Sequence, residues 1–494
     1  MPTFFHIRGK LFLLKYLLYS LSISLFRSSI METLLHYIDL LNGFVWGPPM
    51  IILIFGMGIY FTFKLGFIQK HTFRAIALSL RNDEGAGTVS SFASLAMMVG
   101  ATVGTGSILG VTTAVAEGGP GAVFWIIVAG IFNFAIKYCE CTAAVKYRVR
   151  KEGEYVGGPM YVMTRVLKMK WLAVLFAIGT IFMALTAGAA LQTNSIADVL
   201  REGYRLNPWI IGSLVALLAG IVTIGGVKRI AAYSEWLVPI MAGAYLLIAL
   251  VVIFMNFSQV PHALWLIISM AFTGKAAVGG AAGVGVMALF QAALNAMGIG
   301  VSRSVMSTEA GLGSASIAAS AAQTKSAAKM GIISATSVFW TVFICVLSGL
   351  VIVLAGDWQN PNVFAANLCN SAFKTVPYIG TPILIFSLII FSFTTLIGWA
   401  YYGEKAFQFL GGKWPKVWRI FYIAVCVLGG GLGTAFSLNW TIAADAFEVG
   451  LSTRFAWGLT VLMMTLMTLP NIYMLWRLRH KLHQETKRNL DKVM

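Results

Sequence analysis

The chain has 494 residues, of which 58% are hydrophobic and only 11% charged, and its formal net charge is +18. A soluble protein carries roughly a quarter charged residues, so this composition excludes an ordinary soluble globular protein. The positive residues are spread between apolar segments rather than collected on one polar domain, which argues against a nucleic-acid partner. We therefore expect an all-α integral membrane protein with the lipid bilayer as its solvent.

The first 30 residues do not follow the pattern of the rest of the chain. The apolar stretch 11–26 is short and contains Lys15, with Arg8 and Lys10 ahead of it. It is either a signal-like or extra membrane segment, or an extension ahead of a translation start at Met31, where the regular pattern begins. The pattern favours the second interpretation slightly.

About eleven later segments are apolar and long enough to cross a bilayer as helices. They are 45–66, 89–115, 119–146, 171–195, 208–226, 233–256, 283–303, 331–356, 379–402, 417–436 and 455–476. Alternate loops between them are rich in Lys and Arg, which predicts that these loops and the C-terminus face the cytoplasm. We expect one multi-pass domain over residues 31–476 in the cell (inner) membrane, followed by a basic cytoplasmic tail over 477–494.

The second segment contains a cluster of glycines, Gly100-Ala-Thr-Val-Gly-Thr-Gly-Ser107. Glycine in a membrane helix either allows close packing with a neighbour or marks an unwound segment that faces a cavity. Unwound backbone offers amide groups to a carboxylate and carbonyl oxygens to a small cation. This interpretation predicts a site for a zwitterion and a metal ion that needs few fixed charges.

The seventh segment repeats the G-x-G spacing in Asn295-Ala-Met-Gly-Ile-Gly-Val301. The seventh segment comes five positions after the second, so the two enter the membrane from opposite sides. This arrangement is typical of an inverted repeat with two discontinuous helices. We expect repeat one over about 89–256 and repeat two over about 283–476, with unwound backbone in each.

Further motifs extend from Met31 to about Tyr473. They are Gly104-Thr-Gly106, Gly118-Gly-Pro-Gly-Ala-Val-Phe-Trp125, Lys137-Tyr-Cys-Glu140, Lys146-Tyr-Arg148, Gly157-Gly-Pro-Met-Tyr161, Gln192-Thr-Asn-Ser-Ile-Ala197, Gly225-Gly-Val-Lys-Arg-Ile230, Glu309-Ala-Gly-Leu-Gly-Ser314 and Phe393-Thr-Thr-Leu-Ile-Gly-Trp399. In this order they resemble the alanine/glycine:cation symporter family, also called the sodium:alanine symporters.

The resemblance implies a leucine-transporter-like inverted repeat of 5+5 helices with an additional N-terminal helix. It implies a secondary active transporter rather than an enzyme, without a cofactor, that couples a cation, expected to be sodium, to the uptake of a small neutral amino acid such as alanine or glycine. We expect the protein to act as a monomer.

Carried onto this chain, the resemblance also implies the positions of two sites. The sodium site would use the carbonyls of Gly100 and Val103 and the hydroxyls of Thr394 and Thr395, with Ser107 as a candidate ligand of another ion. The substrate would contact the backbone of Gly104, Thr105 and Gly106, in a pocket lined by Gln192, Asn194 and Trp399.

Each of these side chains also has an ordinary structural interpretation. The hydroxyls of Thr394 and Thr395 could bond to a preceding carbonyl of their own helix. Gln192 and Asn194 could serve hydrogen bonds between helices, and Trp399 could anchor the protein at the membrane interface.

Two further groups are predicted to be structural. Lys137 and Glu140 lie three residues apart on a helix, where they are expected to form an ion pair. The five cysteines lie mostly in apolar segments and are expected to be buried, with no metal cluster among them.

The chain departs from the family pattern at three polar positions, and it carries Ser107, Thr308 and Trp340 there. These departures keep open a proton-coupled or cation-independent amino-acid carrier, or a degenerate non-transporting sensor. An intramembrane enzyme would need a catalytic constellation at bilayer depth, and no such set converges in the sequence. Arg303 and Glu309 are expected to face the cytoplasmic vestibule.

Overall fold

The computed structural model describes residues 33–81, 85–273, 286–360, 365–438 and 445–490. The predictions for residues 1–30 lie outside this part of the chain. The described residues are mostly helical, with one antiparallel hairpin formed by β1 (Val149–Lys151) and β2 (Glu154–Val156). The predicted helical class is therefore confirmed.

The helices are labelled in chain order. They are α1 (33–46), α2 (Pro48–Lys64), α3 (Thr72–Ser79), α4 (Ser91–Thr102), α5 (Leu109–Gly118), α6 (Gly121–Lys146), α7 (Pro159–Arg165), α8 (Lys170–Met183), α9 (Leu191–Tyr204), α10 (Pro208–Ile224), α11 (Gly226–Met255), α12 (Val260–Thr273), α13 (Val286–Thr308), α14 (Ala315–Ala319), α15 (Ala327–Ala355), α16 (Ala365–Lys374), α17 (Gly380–Phe409), α18 (Pro415–Leu438) and α19 (Asp445–Asn489). A π-helical stretch, Ala184–Ala190, joins α8 to α9.

Seven helical stretches of the described chain are long and apolar enough to cross a membrane, and the bent pair α4–α5 would make an eighth. The seven are Thr33–Lys64, Gly121–Lys146, Lys170–Arg201, Gly226–Met255, Ala327–Ala355, Gly380–Phe409 and Gly458–Asn489. The structure is thus that of a multi-pass membrane protein. The count of eleven spans and the 5+5 repeat stay predictions.

The predicted break in the second segment is present. Ser90 caps the start of α4 by accepting a hydrogen bond from the Ala93 amide, and α4 ends at Thr102. A short 3-10 turn, Thr105–Ser107, separates it from α5, and the two helices are bent by 67°. Backbone between Val103 and Ile108 is therefore not part of a continuous helix.

The predicted break at 295–301 is wrong, because α13 runs through Gly298 and Gly300 without interruption. Gly300 instead serves close packing against α6. A Cβ at this position would lie 2.5 Å from the Ala122 carbonyl oxygen and 2.6 Å from the Trp125 Cβ. For Gly300 the close-packing interpretation is therefore the correct one.

The interruption of this segment comes eight residues later, between α13 and α14. Glu309, Gly311 and Gly313 have φ values of 51°, 94° and 78°, so the chain turns through left-handed backbone before α14 begins. Two glycines supply this conformation without a Cβ penalty. The stretch 309–314 is therefore a second break, displaced from the predicted one.

The described part of the predicted C-terminal tail is the end of α19. Leu478 and Leu482 are buried, and the Thr486 hydroxyl lies 2.9 Å from the hydroxyl of Tyr138 on α6. Residues 477–489 thus pack on the bundle as helix rather than leaving it as an extended tail.

Candidate functional site

The first break presents its backbone unevenly to solvent. Gly104 and Ser107 are buried, Thr105 is half-buried and Gly106 is exposed. Within residues 104–107, only Thr105 and Gly106 are therefore accessible to solvent. The predicted backbone contacts Gly104, Thr105 and Gly106 lie at this opening.

Helix α17 meets the end of α4 at the predicted ion site. The Thr395 hydroxyl donates a hydrogen bond to the Gly100 carbonyl over 2.9 Å. The Thr394 hydroxyl instead donates to the Phe391 carbonyl of its own helix over 3.0 Å. The self-bonding interpretation therefore describes Thr394, whereas Thr395 reaches across to α4. Val103, the other predicted carbonyl ligand, is buried.

Gln192 reaches the break from α9. Its Oε1 atom lies 3.4 Å from the Thr105 hydroxyl, and its amide donates to the Ala187 carbonyl over 3.2 Å. Ala187 belongs to the π-helical stretch, whose i→i+5 geometry often marks functional sites. Asn194, on the same helix, donates to Asp198 one turn away over 3.0 Å, so the structure ties it to its own helix rather than to the break.

Trp399 connects α17 to the second break. It is 2% exposed, and its indole N–H donates to the Glu309 carboxylate over 3.2 Å. The absent Cβ of Gly188 makes room for the Trp399 side chain. The ring is interior, so the interfacial-anchor interpretation does not describe it.

Ser107 is fully buried, and its hydroxyl has no hydrogen-bond partner among the residues that the structure describes. An unpaired buried hydroxyl costs stability, so it calls for a ligand or a water molecule. This position suits the additional ion ligand that the sequence predicts.

The second break is held by a buried carboxylate. The Glu140 Oε1 atom accepts hydrogen bonds from the Gly311 amide over 2.8 Å, the Gly313 amide over 3.2 Å and the Asn471 side-chain amide over 2.7 Å. Its Oε2 atom lies 3.8 Å from the Lys137 ammonium, and both side chains are fully buried. The predicted ion pair is thus present. Glu140 also binds the backbone of the loop between α13 and α14.

Lys137 and Glu309 complete this cluster. The Lys137 ammonium donates to the Glu309 carbonyl over 2.9 Å, and the Ser314 hydroxyl donates to the Glu309 carboxylate. Glu309 is 6% exposed, so the prediction that it faces a vestibule is wrong. Its burial follows from its place in the turn that α6, α17 and α19 enclose.

Sequence reasoning missed this second break, although a signal was present. The four residues Gly311-Leu-Gly-Ser314 repeat the pattern of Gly104-Thr-Gly-Ser107, including the serine. The chosen pair, Gly298 and Gly300, shares only the two glycines. A four-residue match would have located both breaks.

A cavity of about 1070 Å³ lies between the end of α1, α2, α5, α13 and Val461 of α19. Arg303 and Glu117 line it and approach within 3.9 Å of each other. A Cβ on Gly110, four residues after exposed Gly106, would lie 4.0 Å from the Arg303 guanidinium. Arg303, which lines the cavity, therefore lies near the first turn of α5, which follows the first break.

The cavity and the hairpin lie at opposite ends of the bundle. Helix α6 begins beside the end of α5, where the cavity is, and finishes beside β1. Its 26 residues span roughly 39 Å at 1.5 Å per residue. Arg303 thus lies toward the end of the bundle away from the basic hairpin loop, and which side of the membrane it faces stays a prediction.

Across the described residues, no group of three or more His, Cys, Asp or Glu side chains could hold a metal ion. The five cysteines are buried and unpaired. An ion at the first break would accordingly depend on backbone carbonyls and hydroxyls, which are the hard oxygen ligands that small alkali cations accept.

The fold is shared with a membrane transporter of known structure. A manganese transporter variant of Eremococcus coleocola superposes with a TM-score of 0.50 at 11% identity, covering 78% of this chain and 85% of that one. At this identity the likeness concerns the fold alone.

Sequence comparisons give a closer relationship. An uncharacterized transporter of Haemophilus influenzae is 41% identical over 92% of this chain and 95% of that protein. The sodium/alanine symporter AgcS of Methanococcus maripaludis is 38% identical over 82% of this chain and 90% of its own length. The probable sodium/glutamine symporter GlnT of Bacillus subtilis is 33% identical over 81% of this chain and 82% of its own length. The model of the sodium:alanine symporter family matches residues 31–493. The chain therefore belongs to the sodium:alanine symporter family.

Proposed function

We propose that the protein is a secondary active transporter that couples sodium entry to the uptake of a small neutral amino acid such as alanine or glycine. The observation that carries this proposal is the break between α4 and α5, where Thr395 meets the Gly100 carbonyl and Gln192 meets Thr105. The family is one of symporters rather than enzymes, so the intramembrane-enzyme alternative is set aside.

Sodium would bind where α4 ends. The carbonyls of Gly100 and Val103 and the hydroxyls of Thr394 and Thr395 supply uncharged oxygens, and Ser107 would add a further oxygen nearby. When the ion arrives, the Thr395 hydroxyl would turn its hydrogen away from the Gly100 carbonyl, so that the oxygen atoms of both groups could face the ion. Sodium is thus a transported co-substrate in this proposal, and no resident cofactor is needed.

The amino acid would bind at Gly104, Thr105 and Gly106. Its carboxylate would accept hydrogen bonds from amides at the start of α5, where the helix dipole favours negative charge. A Cβ on Gly104 would lie 2.7 Å from the Thr395 hydroxyl and 3.5 Å from the Gln192 Oε1 atom, so the space beside this backbone is small. That restriction supports a substrate with a small side chain, with Trp399 behind it.

In this proposal the cavity beside Arg303 leads toward the site, and the hairpin end is closed by the pairing of residues 85–90 with 320–324. We place the hairpin and the C-terminus in the cytoplasm because the loops at that end carry most of the basic residues. Substrate would then enter from outside and leave past the hairpin when the bundle rocks. We expect a monomer in the cell inner membrane.

The test is uptake of labelled alanine and glycine by protein reconstituted in liposomes. Accumulation above equilibrium is expected with an inward sodium gradient. Equal uptake with sodium absent rejects sodium coupling, and a proton gradient then distinguishes the proton-coupled alternative. Glutamine belongs in the substrate panel because the relative GlnT is named for it.

Counterflow separates a carrier from a non-transporting sensor. Liposomes loaded with unlabelled alanine are expected to take up labelled alanine transiently without an ion gradient. Protein that binds alanine, as shown by a raised melting temperature, but gives no counterflow would be a sensor.

A further inference from the structure

We infer that Arg148 is a positioning residue of the transport cycle, whose guanidinium latches the hairpin end of the molecule shut. The inference rests on the proposed transport function, since a latch has a role only where this end must open. Arg148 lies between the end of α6 and β1.

The guanidinium joins two segments that are far apart in the sequence. One nitrogen donates to the Ser320 carbonyl over 3.0 Å and to the Ala322 carbonyl over 2.6 Å. The other donates to the Ala86 carbonyl. The two segments are the approach to α4, residues 85–90, and the stretch 320–324 that follows α14.

The Arg148 side chain is built into this position. Its guanidinium lies 4.7 Å from the centre of the Tyr155 ring, which stacks on it from β2. Partial burial lowers the pKa of the guanidinium, but arginine stays protonated in proteins, so its donors are permanent. A planar guanidinium presents five donors in a fixed fork, whereas lysine carries its three donors on one nitrogen at the end of a flexible stem.

The two segments also pair directly. The Thr88 amide donates to the Ala321 carbonyl over 2.7 Å, the Gln323 amide to the Val89 carbonyl over 2.7 Å and the Thr324 amide to the Ala86 carbonyl over 3.1 Å. These backbone hydrogen bonds lie beside the guanidinium. Arg148 therefore strengthens the contact between residues 85–90 and 320–324, which the backbone already makes.

The latch acts on both broken helices. Residues 85–90 lead into α4, the first half of one broken helix, and residues 320–324 leave α14, the second half of the other. One turn further in, the Ser94 hydroxyl of α4 donates to the Ala318 carbonyl of α14 over 3.0 Å. Separating α4 from α14 at this end is what a substrate exit route requires, and Arg148 opposes that separation.

The experiment measures access to the α4–α14 contact from the hairpin side. Ser94 is fully buried, and the native cysteines are buried too, so a Ser94→Cys substitution provides a site whose labelling reports opening. A membrane-impermeant thiol reagent is applied to the hairpin face of oriented vesicles. Arg148→Gln is expected to increase the labelling rate about tenfold or more, because several charge-assisted hydrogen bonds are lost.

Two variants serve as controls. Arg148→Lys keeps the positive charge but removes the planar guanidinium, so an intermediate labelling rate is expected. Arg150→Gln removes an exposed arginine of β1, two residues further along the chain, and should leave the rate unchanged. An unchanged labelling rate in folded Arg148→Gln protein, or an equal increase in Arg150→Gln, overturns the inference.

A second measurement needs no introduced cysteine. Hydrogen exchange of the amides of Thr88, Gln323 and Thr324 should accelerate in Arg148→Gln while exchange in α6 stays slow. Acceleration throughout the protein would indicate general destabilisation and would overturn the latch. Both measurements are made without substrate or sodium, so their failure is distinguishable from failure of the proposed symport.

Discussion

The buried carboxylate of Glu140 allows a quantitative test of how the second break is held. In Glu140→Gln, either orientation of the new amide is unfavourable. With its oxygen at the Oε1 position, the NH₂ group faces the Lys137 ammonium, which lies 3.8 Å from the present Oε2 atom. With the amide reversed, the NH₂ group faces the Gly311, Gly313 and Asn471 donors.

The expected loss follows from these contacts. Changing an ionised acceptor of three hydrogen bonds to a neutral one weakens each by about half, which sums to about 2–4 kcal/mol. Removing one partner of a buried ion pair costs about 3–5 kcal/mol, because the other charge is left uncompensated. The two costs overlap, so we expect a loss of about 3–5 kcal/mol for the single variant.

The assay is a double-mutant cycle with Lys137→Met, read as denaturant unfolding of the purified protein in detergent. The double variant should recover at least about 1 kcal/mol relative to the sum of the single variants, because the stranded ammonium is gone. Lys146→Gln is the matched control on the same helix. Its partner Glu485 lies in a more exposed pair, so a change below about 1 kcal/mol is expected. Additive single effects, or a loss in Glu140→Gln no larger than the control, would refute this reasoning.

Three other predictions concern the breaks and the close-packing site. Thr395→Val should raise the sodium concentration for half-maximal uptake about tenfold or more. Thr394→Val should have a smaller effect, because the hydroxyl that it removes is bonded to its own helix. Equal effects of the two variants would count against the assignment of Thr395 to the sodium site. Gly300→Ala should lower stability by about 1–3 kcal/mol through overlap with α6, whereas Gly298→Ala, with its nearest neighbour 3.8 Å away, should be tolerated in the same unfolding assay. Gln192→Leu should raise the KM for alanine about tenfold while a sodium-induced thermal shift persists, and an unchanged KM would remove Gln192 from the pocket.

The helical class and the first break could be predicted because both are local properties of the sequence. Apolar segments of bilayer length mark spans, and glycines at 100, 104 and 106 weaken the helix in the middle of one of them. The contact between Thr395 and the Gly100 carbonyl came only through the family resemblance. Nothing in the spacing of residues so distant in the chain predicts that they meet.

The position of the second break could not be found from glycine spacing alone. Gly300 and Gly311 are both glycines in the same segment, but one serves a helix crossing and the other a left-handed turn. The two glycines differ in the group of α6 that contacts them. Gly300 packs against the Ala122 carbonyl, whereas the Gly311 amide donates to the Glu140 carboxylate. Tertiary partners decide what a glycine does, and a single sequence does not name them.

The two breaks differ in a way that assigns their roles. At the second break, the amides of Gly311 and Gly313 are already bonded to Glu140, and Lys137 lies against that carboxylate. A substrate carboxylate arriving there would have to displace a buried protein carboxylate that is attached to the same bundle. At the first break the described partners of Thr105 and Gly100 are neutral side chains, which can turn toward a ligand without breaking an ion pair. The second break therefore suits a structural role, which supports our proposal that the amino acid and its cation bind at the first.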